Sequence, residues 1–269
     1  MKCSQSMLAE KLGGIKKMVL NKLEERHDGL YITRRREFSR IGRFKDISIS
    51  KAIDFAYDMS FGKNGEHRNH RSGGVHKRKN GEIFANTFQG KLSEFAIYNS
   101  LYKKCGDIQE PDLDTYGLGE WDNCDFEVNS KKISVKSTKS FGNLMLLETK
   151  DWNKDGEYIP NISKGTSLYD IFILVRINPF CEDLLKRMKA LYSNEVEKDK
   201  LIKEIRTKEW EYDIPGFITR EDLMYAIRNN YIINQGDMLN GKTKMDAENY
   251  YVQAGDMYSI DELIKLLNE

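Results

Sequence analysis

The chain has 269 residues, 39% of them apolar, with 43 Lys+Arg against 42 Asp+Glu for a formal net charge of +1. That length suits one large α/β domain, the apolar content suffices for a core, and the longest apolar run, 171–175, is too short to span a bilayer. No apolar signal region follows Met1, and the four cysteines (Cys3, Cys105, Cys124, Cys181) are scattered, so a disulfide framework and a cysteine zinc site are not expected and a cytoplasmic location is.

Residues 5–26 carry Met7, Leu8, Leu12, Ile15, Met18, Val19 and Leu23 at helical spacing, which predicts an N-terminal helical arm. Ser50 is placed to cap a helix through Tyr57, with Ile53, Phe55 and Ala56 inward. Residues 62–81, rich in Gly, Asn, Arg and His, read as a loop. A helix over 90–104 would bury Leu92, Phe95, Ala96 and Leu101, and residues 105–123 read as loop. Short strands are expected at 125–128, 131–137 and 143–148, then a strongly apolar strand at 169–177, apart from Arg176. Residues 182–210 read as a charged helical hairpin at the surface. A helix at 220–228, strands at 230–235 and 249–253 and a closing helix at 259–268 complete the chain. Helices on both sides of a central strand cluster predict an α/β fold: a central mixed β-sheet flanked by helices, with the N-terminal helical arm, as one domain over 1–269.

Charge is unevenly placed. Residues 1–80 hold 19 Lys+Arg and 9 Asp+Glu, and the other 189 hold 24 and 33. The basic residues cluster at Arg34-Arg35-Arg36, at Arg40, Arg43 and Lys45, and from His67 to Lys79, which points to a polyanion partner on one side. Within 66–79, Gly73-Gly74 permits close backbone approach to a DNA groove. Arg68, His70, Arg71, His76, Lys77, Arg78 and Lys79 suit contacts to phosphates and guanine edges. Three loop histidines without a nearby cysteine make a weak zinc signal.

The segment 125–137 carries the chemistry. With Asn129-Ser130 as a two-residue turn, Val128 faces Lys131, Phe126 faces Ile133 and Asp125 faces Ser134. Phe126, Val128, Ile133 and Val135 then share the core face, and Asp125, Ser134 and Lys136 the other. A carboxylate can hold a hard divalent cation, which polarises a phosphoryl oxygen, and a lysine beside it can orient or deprotonate a water. A second acid is needed. Glu148 would fall about opposite Ser134 if the sheet continued through a turn near Gly142, and Glu94 lies at the edge of a buried helix face. Ser137, Lys139 and Asn143, just after Lys136, are placed to touch a scissile strand.

A decoy follows. Gly236 to Thr243 fits the phosphate-loop pattern, but only 26 residues follow it and they read as strand, so it is taken as a polar hairpin loop and no nucleotide cofactor is expected.

At Glu94, Asp125 and Ser134-Val135-Lys136 the sequence resembles the PD-(D/E)xK nuclease superfamily, especially type II restriction endonucleases. The resemblance extends loosely over residues 85–177. Ser134 departs from the pattern, where Asp or Glu is usual; some restriction enzymes carry Ser there and take the acid from farther along, a place that Glu148, twelve residues after Lys136, would fill. The resemblance implies a restriction-endonuclease-like fold and Mg2+-dependent hydrolysis of double-stranded DNA at a specific site, by a homodimer. Asp125, Glu148 and Glu94 would be metal ligands, Lys136 the water-activating group and Ser134 an auxiliary. Two alternatives stay open: a structure-specific repair or junction nuclease of the same fold, and a decayed nuclease-fold protein that only binds DNA.

Overall fold

The computed structural model describes residues 17–62, 78–114 and 124–269, with the backbone of 11–12 and 15–16. In chain order these form β1 (Lys11–Leu12), β2 (Ile15–Lys16), β3 (Glu24–Arg26), β4 (Gly29–Tyr31), β5 (Gly42–Arg43), α1 (Asp46–Ser60), α2 (Asn80–Leu101), β6 (Phe126–Val128), β7 (Lys131–Lys139) and β8 (Leu144–Glu148). Then come β9 (Ile171–Asn178), α3 (Cys181–Arg187), α4 (Lys198–Arg206), β10 (Glu211–Thr219), α5 (Arg220–Arg228), β11 (Ile232–Ile233), β12 (Met238–Leu239), β13 (Thr243–Lys244), β14 (Asn249–Gln253) and α6 (Ile260–Leu267). The fold is mixed α/β. Among the described residues the main sheet runs β5-β10-β9-β7-β6, with β7 and β9 parallel and the other neighbours antiparallel. Three smaller sheets run β1-β2, β11-β14-β8 and β13-β12-β4-β3.

Strand β9 divides the interior. Side chains alternate across a strand, so Ile171, Ile173, Val175 and Ile177 enter one apolar cluster with α1, α2 and α6, while Phe172 and Leu174 enter a second with β8, β14 and α5. A strand buried on both faces reads as a continuous apolar run, which is how 171–175 reads. The helices meet local rules too: Thr219 with Asp222, and Ser259 with Glu262, form capping boxes that start α5 and α6.

The expected N-terminal helical arm is not formed where the chain is described: residues 17–23 are extended, and β3 and β4 make a hairpin. Residues 5–10 and 13–14 lie outside the described residues. The C-terminal segment supplies hydrogen bonds that a helix ladder would otherwise supply. The hydroxyls of Tyr258 and Tyr251 accept the N–H groups of Met18 and Leu23 at 2.9 Å each, and Asp256 accepts that of Asn21 at 2.8 Å. Gln253, fully buried, accepts the N–H groups of Thr33 and Arg34 and donates to the carbonyls of Asn21 and Lys22. Met18, Leu20 and Leu23 still reach the second cluster, from an extended strap.

Other boundaries shift. Helix α1 starts at Asp46 rather than at Ser50, and α2 at Asn80, inside the expected loop and well before residue 90. The helices after β9 lie at the surface with an apolar side packed inward: Leu184, Leu185, Leu201, Ile205 and the following Trp210 are buried, while most of 192–209 is exposed. Strand β10 had no signal: Pro215 and Gly216 interrupt it, and a register shift against β9 between Asp213 and Gly216 absorbs them. The phosphate-loop look-alike is a polar hairpin, β12 to β13, turned by Asn240 and Gly241 at positive φ. No helix among the described residues is long and apolar enough to cross a membrane.

One buried ion pair ties these parts together. Arg176 is 1% exposed and grips Asp213 with Nε at 2.8 Å and Nη2 at 2.5 Å. Its other donors reach the carbonyls of Arg36 (2.7 Å), Glu37 (2.8 Å) and Gly142 (3.3 Å), and Asp213 also accepts the Ser39 N–H at 2.9 Å. Removing one partner strands a buried charge. Asp213→Asn is therefore expected to lower unfolding stability by about 3–5 kcal/mol, measured by denaturant titration, whereas Arg206→Gln on the exposed Ser50 contact changes it by less than about 1 kcal/mol.

Candidate active site

The hairpin forms in the expected register. Asn129 and Ser130 take positive φ in the turn, Phe126 pairs with Ile133 and Val128 with Lys131. Phe126, Val128 and Ile133 enter the first cluster and Val135 packs against it. Ser134 and Lys136 lie on the other face, where their β9 partners are Phe172 and Leu174 of the second cluster. Asp125 sits just before β6, and its carboxylate lies along the edge of β7, where Oδ2 accepts the Val135 N–H at 2.6 Å. It does there what a strand carbonyl would do.

Lys136 is the unusual group. Burial pulls its ammonium below the ordinary lysine range, and the carboxylates of Asp125 and Asp151 pull it back upward. The Lys136 side chain makes no hydrogen bond or ion pair among the described residues and keeps partial solvent exposure. Aromatic packing lowers the local dielectric: Trp152, next to Asp151, packs on Phe172 at 5.2 Å and on Tyr169 at 6.1 Å. Tyr169 is itself held protonated well above its ordinary range, first by burial and then by Asp125, and Asn161 donates to its hydroxyl at 3.4 Å.

The second acid is therefore not where the sequence put it. β8 does not continue the sheet beside β7; it crosses to the other small sheet and pairs with β14, setting Glu148 opposite Asn249. Glu148 instead lies 3.7 Å from Lys150. Glu94 on α2 is paired with Lys91 at 2.7 Å, and Lys91 also donates to the Asp112 carbonyl. α2 packs on the face that carries Ile133, opposite Ser134 and Lys136. Besides Asp125, the carboxylate whose charge acts on Lys136 is Asp151, in the 3-10 turn Thr149–Asp151. Its position depends on where β8 goes, so no local pattern marks it.

Among the expected nucleic-acid contacts, Arg68, His70, Arg71, His76 and Lys77 lie outside the described residues. Arg78 and Lys79 precede α2, where the Lys79 N–H donates to Glu82. Ser137 is exposed, and Lys139 is half-buried at 3.5 Å from Glu182. Asn143 is a correction: it is buried, accepts the Arg36 N–H at 2.8 Å and donates to the Phe141 carbonyl, so its amide is used inside the protein. The basic cluster before α1 is also corrected. Arg34 pairs with Asp256, Arg40 with Glu211, and Arg43 with Glu209 and Glu211; Arg36 donates to the carbonyls of Pro215 and Met257. That part of the charge asymmetry holds the chain to itself.

Among the described residues no group of three or more His, Cys, Asp or Glu side chains is gathered as a metal cage. A Mg2+ ion needs less when a phosphate supplies oxygens: one or two carboxylates suffice. Compared with protein-family profiles, curated proteins and solved structures, the chain matches none of them.

The Lys136 environment has a measurable signature. Its folded value lies below its unfolded one, so between the two the unfolded chain binds more protons and stability rises with pH. At neutral pH the buried ammonium costs stability. Lys136→Met is expected to raise the Tm at pH 7, with the gain shrinking as pH climbs toward the ordinary lysine value of 10.5. A lower Tm for the variant at pH 7 would mean the ammonium is held by favourable contacts.

Proposed function

We propose that the chain is a Mg2+-dependent endonuclease of the PD-(D/E)xK type, hydrolysing phosphodiester bonds of double-stranded DNA. One observation carries this reading: a partly buried lysine on β7 whose side chain has no bonded partner and whose proton affinity burial lowers while the charges of Asp125 and Asp151 raise it. Structural lysines at such depth are paired, whereas a depressed ammonium beside acids is the usual condition of a catalytic group. The order helix α2, antiparallel β6 and β7, then β9 parallel to β7 is in keeping with a restriction-endonuclease-like core.

In this reading Asp125 and Asp151 would hold the ion, with Oδ2 of Asp125 also accepting the Val135 N–H. When bound, the ion supplies charge stabilisation at the phosphoryl group and a more acidic water. Lys136, eased toward its neutral form by burial, orients the attacking water and takes its proton. The aromatic wall excludes bulk water and strengthens these charges. Cutting both strands at a symmetric site calls for a two-fold homodimer, and recognition of one site would make the enzyme a type II restriction endonuclease.

The test is cleavage of long duplex DNA with Mg2+, beside an EDTA control. Asp125→Asn keeps an oxygen for the Val135 N–H, so it spares the hairpin. Asp125→Asn, Asp151→Asn and Lys136→Ala are each expected to cut about 10²- to 10⁴-fold more slowly, and Glu148→Gln close to normally. Discrete fragments point to a restriction enzyme, and cutting confined to branched DNA to a junction nuclease. No cutting by the unaltered chain, with DNA binding retained, would replace this reading by the decayed, binding-only one, for which Ser134 in the acidic place and the Asp125 contact to Val135 would be the reasons.

A further inference from the structure

The strand that carries Lys136 ends in a turn that shows a phenyl ring to solvent. Phe141 is 73% exposed. Exposure alone is common for single apolar residues, and Val19 is as exposed. Phe141 differs in how it is held. The Gly142 N–H donates to the Lys139 carbonyl at 2.8 Å, buried Asn143 donates to the Phe141 carbonyl at 3.2 Å, and buried Arg176 donates to the Gly142 carbonyl. A Cβ on Gly142 would lie 2.3 Å from Thr138 Oγ1, so a larger residue there would have to move Thr138. Asn143 and Arg176 thus hold the backbone carbonyls of Phe141 and Gly142 beneath the exposed ring.

The ring has a charged and aromatic neighbourhood. The Lys139 ammonium stands 6.0 Å from the Phe141 ring centre and 4.1 Å from that of Phe180. Glu182 lies 3.5 Å from Lys139 and 3.7 Å from Lys186, which leaves a surplus positive charge beside the ring. Ser137 is exposed on the same strand end. A rigid apolar face next to a cation and a hydroxyl is the chemistry of a nucleotide platform: the ring stacks on a base and the cation meets its phosphate.

We propose that Phe141 is a stacking wedge that takes an unstacked base of the DNA, with Lys139 on the adjoining phosphate. This deepens the nuclease reading and rests on it. Phe141 lies five residues beyond Lys136, three along β7 and two into the turn that ends it, so the wedge would engage the duplex within about five base pairs of the reacting phosphodiester. A fixed wedge would hold a distorted step in register with the cut.

The experiment uses the full chain in EDTA, so that binding is read without cutting, and short duplexes with 2-aminopurine at successive positions. The unaltered protein is expected to change the fluorescence at one or two steps. Phe141→Ala, at an exposed position, is expected to abolish that change and weaken binding about 5- to 150-fold. Phe141→Trp restores both, and Lys139→Gln reduces the salt dependence of binding by about one phosphate contact. Equal binding and an unchanged signal in Phe141→Ala overturn the wedge, even if Mg2+-dependent cutting stands. A signal lost in Phe141→Ala in a protein that never cuts upholds the wedge and removes the nuclease reading. No binding by the unaltered protein overturns both.

Discussion

The Arg176–Asp213 pair is the constraint on which the rest depends. A guanidinium taken out of water is stable only when its donors are met. Here the donors are met by Asp213 and by three carbonyls from distant parts of the chain: Arg36, Glu37 and Gly142. The pair joins β9 to β10 at the register shift that Pro215 requires. It also pins the strap before α1 and the turn between β7 and β8. With that turn fixed, β8 departs from the main sheet and meets β14. The second apolar cluster then closes over the face of β7 that would otherwise meet water.

That closure gives Lys136 its character. On β7 the side chains at 134, 136 and 138 are polar and alternate with Ile133 and Val135, the ordinary pattern of a half-exposed strand. The second sheet and the Trp152–Tyr169–Phe172 packing turn part of that polar row into a desolvated one. The apolar side could have been completed by another aliphatic residue. Burial of a lysine there depresses its proton affinity.

What the sequence made legible was local. The hairpin register followed from a two-residue turn and from alternation over a dozen residues, and the two-faced burial of β9 from an unbroken apolar run. What it hid was set by distant partners. The spacing of Met18 and Leu23 matched a helix, but the hydroxyls of Tyr251 and Tyr258 claimed their N–H groups more than two hundred residues away. β10 was obscured by Pro215, whose break is absorbed only by pairing with β9. Asp151 stayed hidden for the same reason, since its place beside Lys136 depends on the course of β8.

The charge asymmetry follows the same logic. Opposite charges in separate parts of a chain can attract a partner or attract each other. Arg34, Arg40 and Arg43 do the second, and fasten the strap to the acidic C-terminal part through Asp256, Glu209 and Glu211. Arg36 is drawn inward as well and loses proton affinity to burial. These cations are spent on the fold and have little left for a phosphate backbone. A polyanion approaching Lys136 would meet the strand end instead, where Lys139 and Lys186 share the single carboxylate of Glu182. The strand end thus carries a local surplus of positive charge beside the candidate site, apart from the paired arginines of the strap.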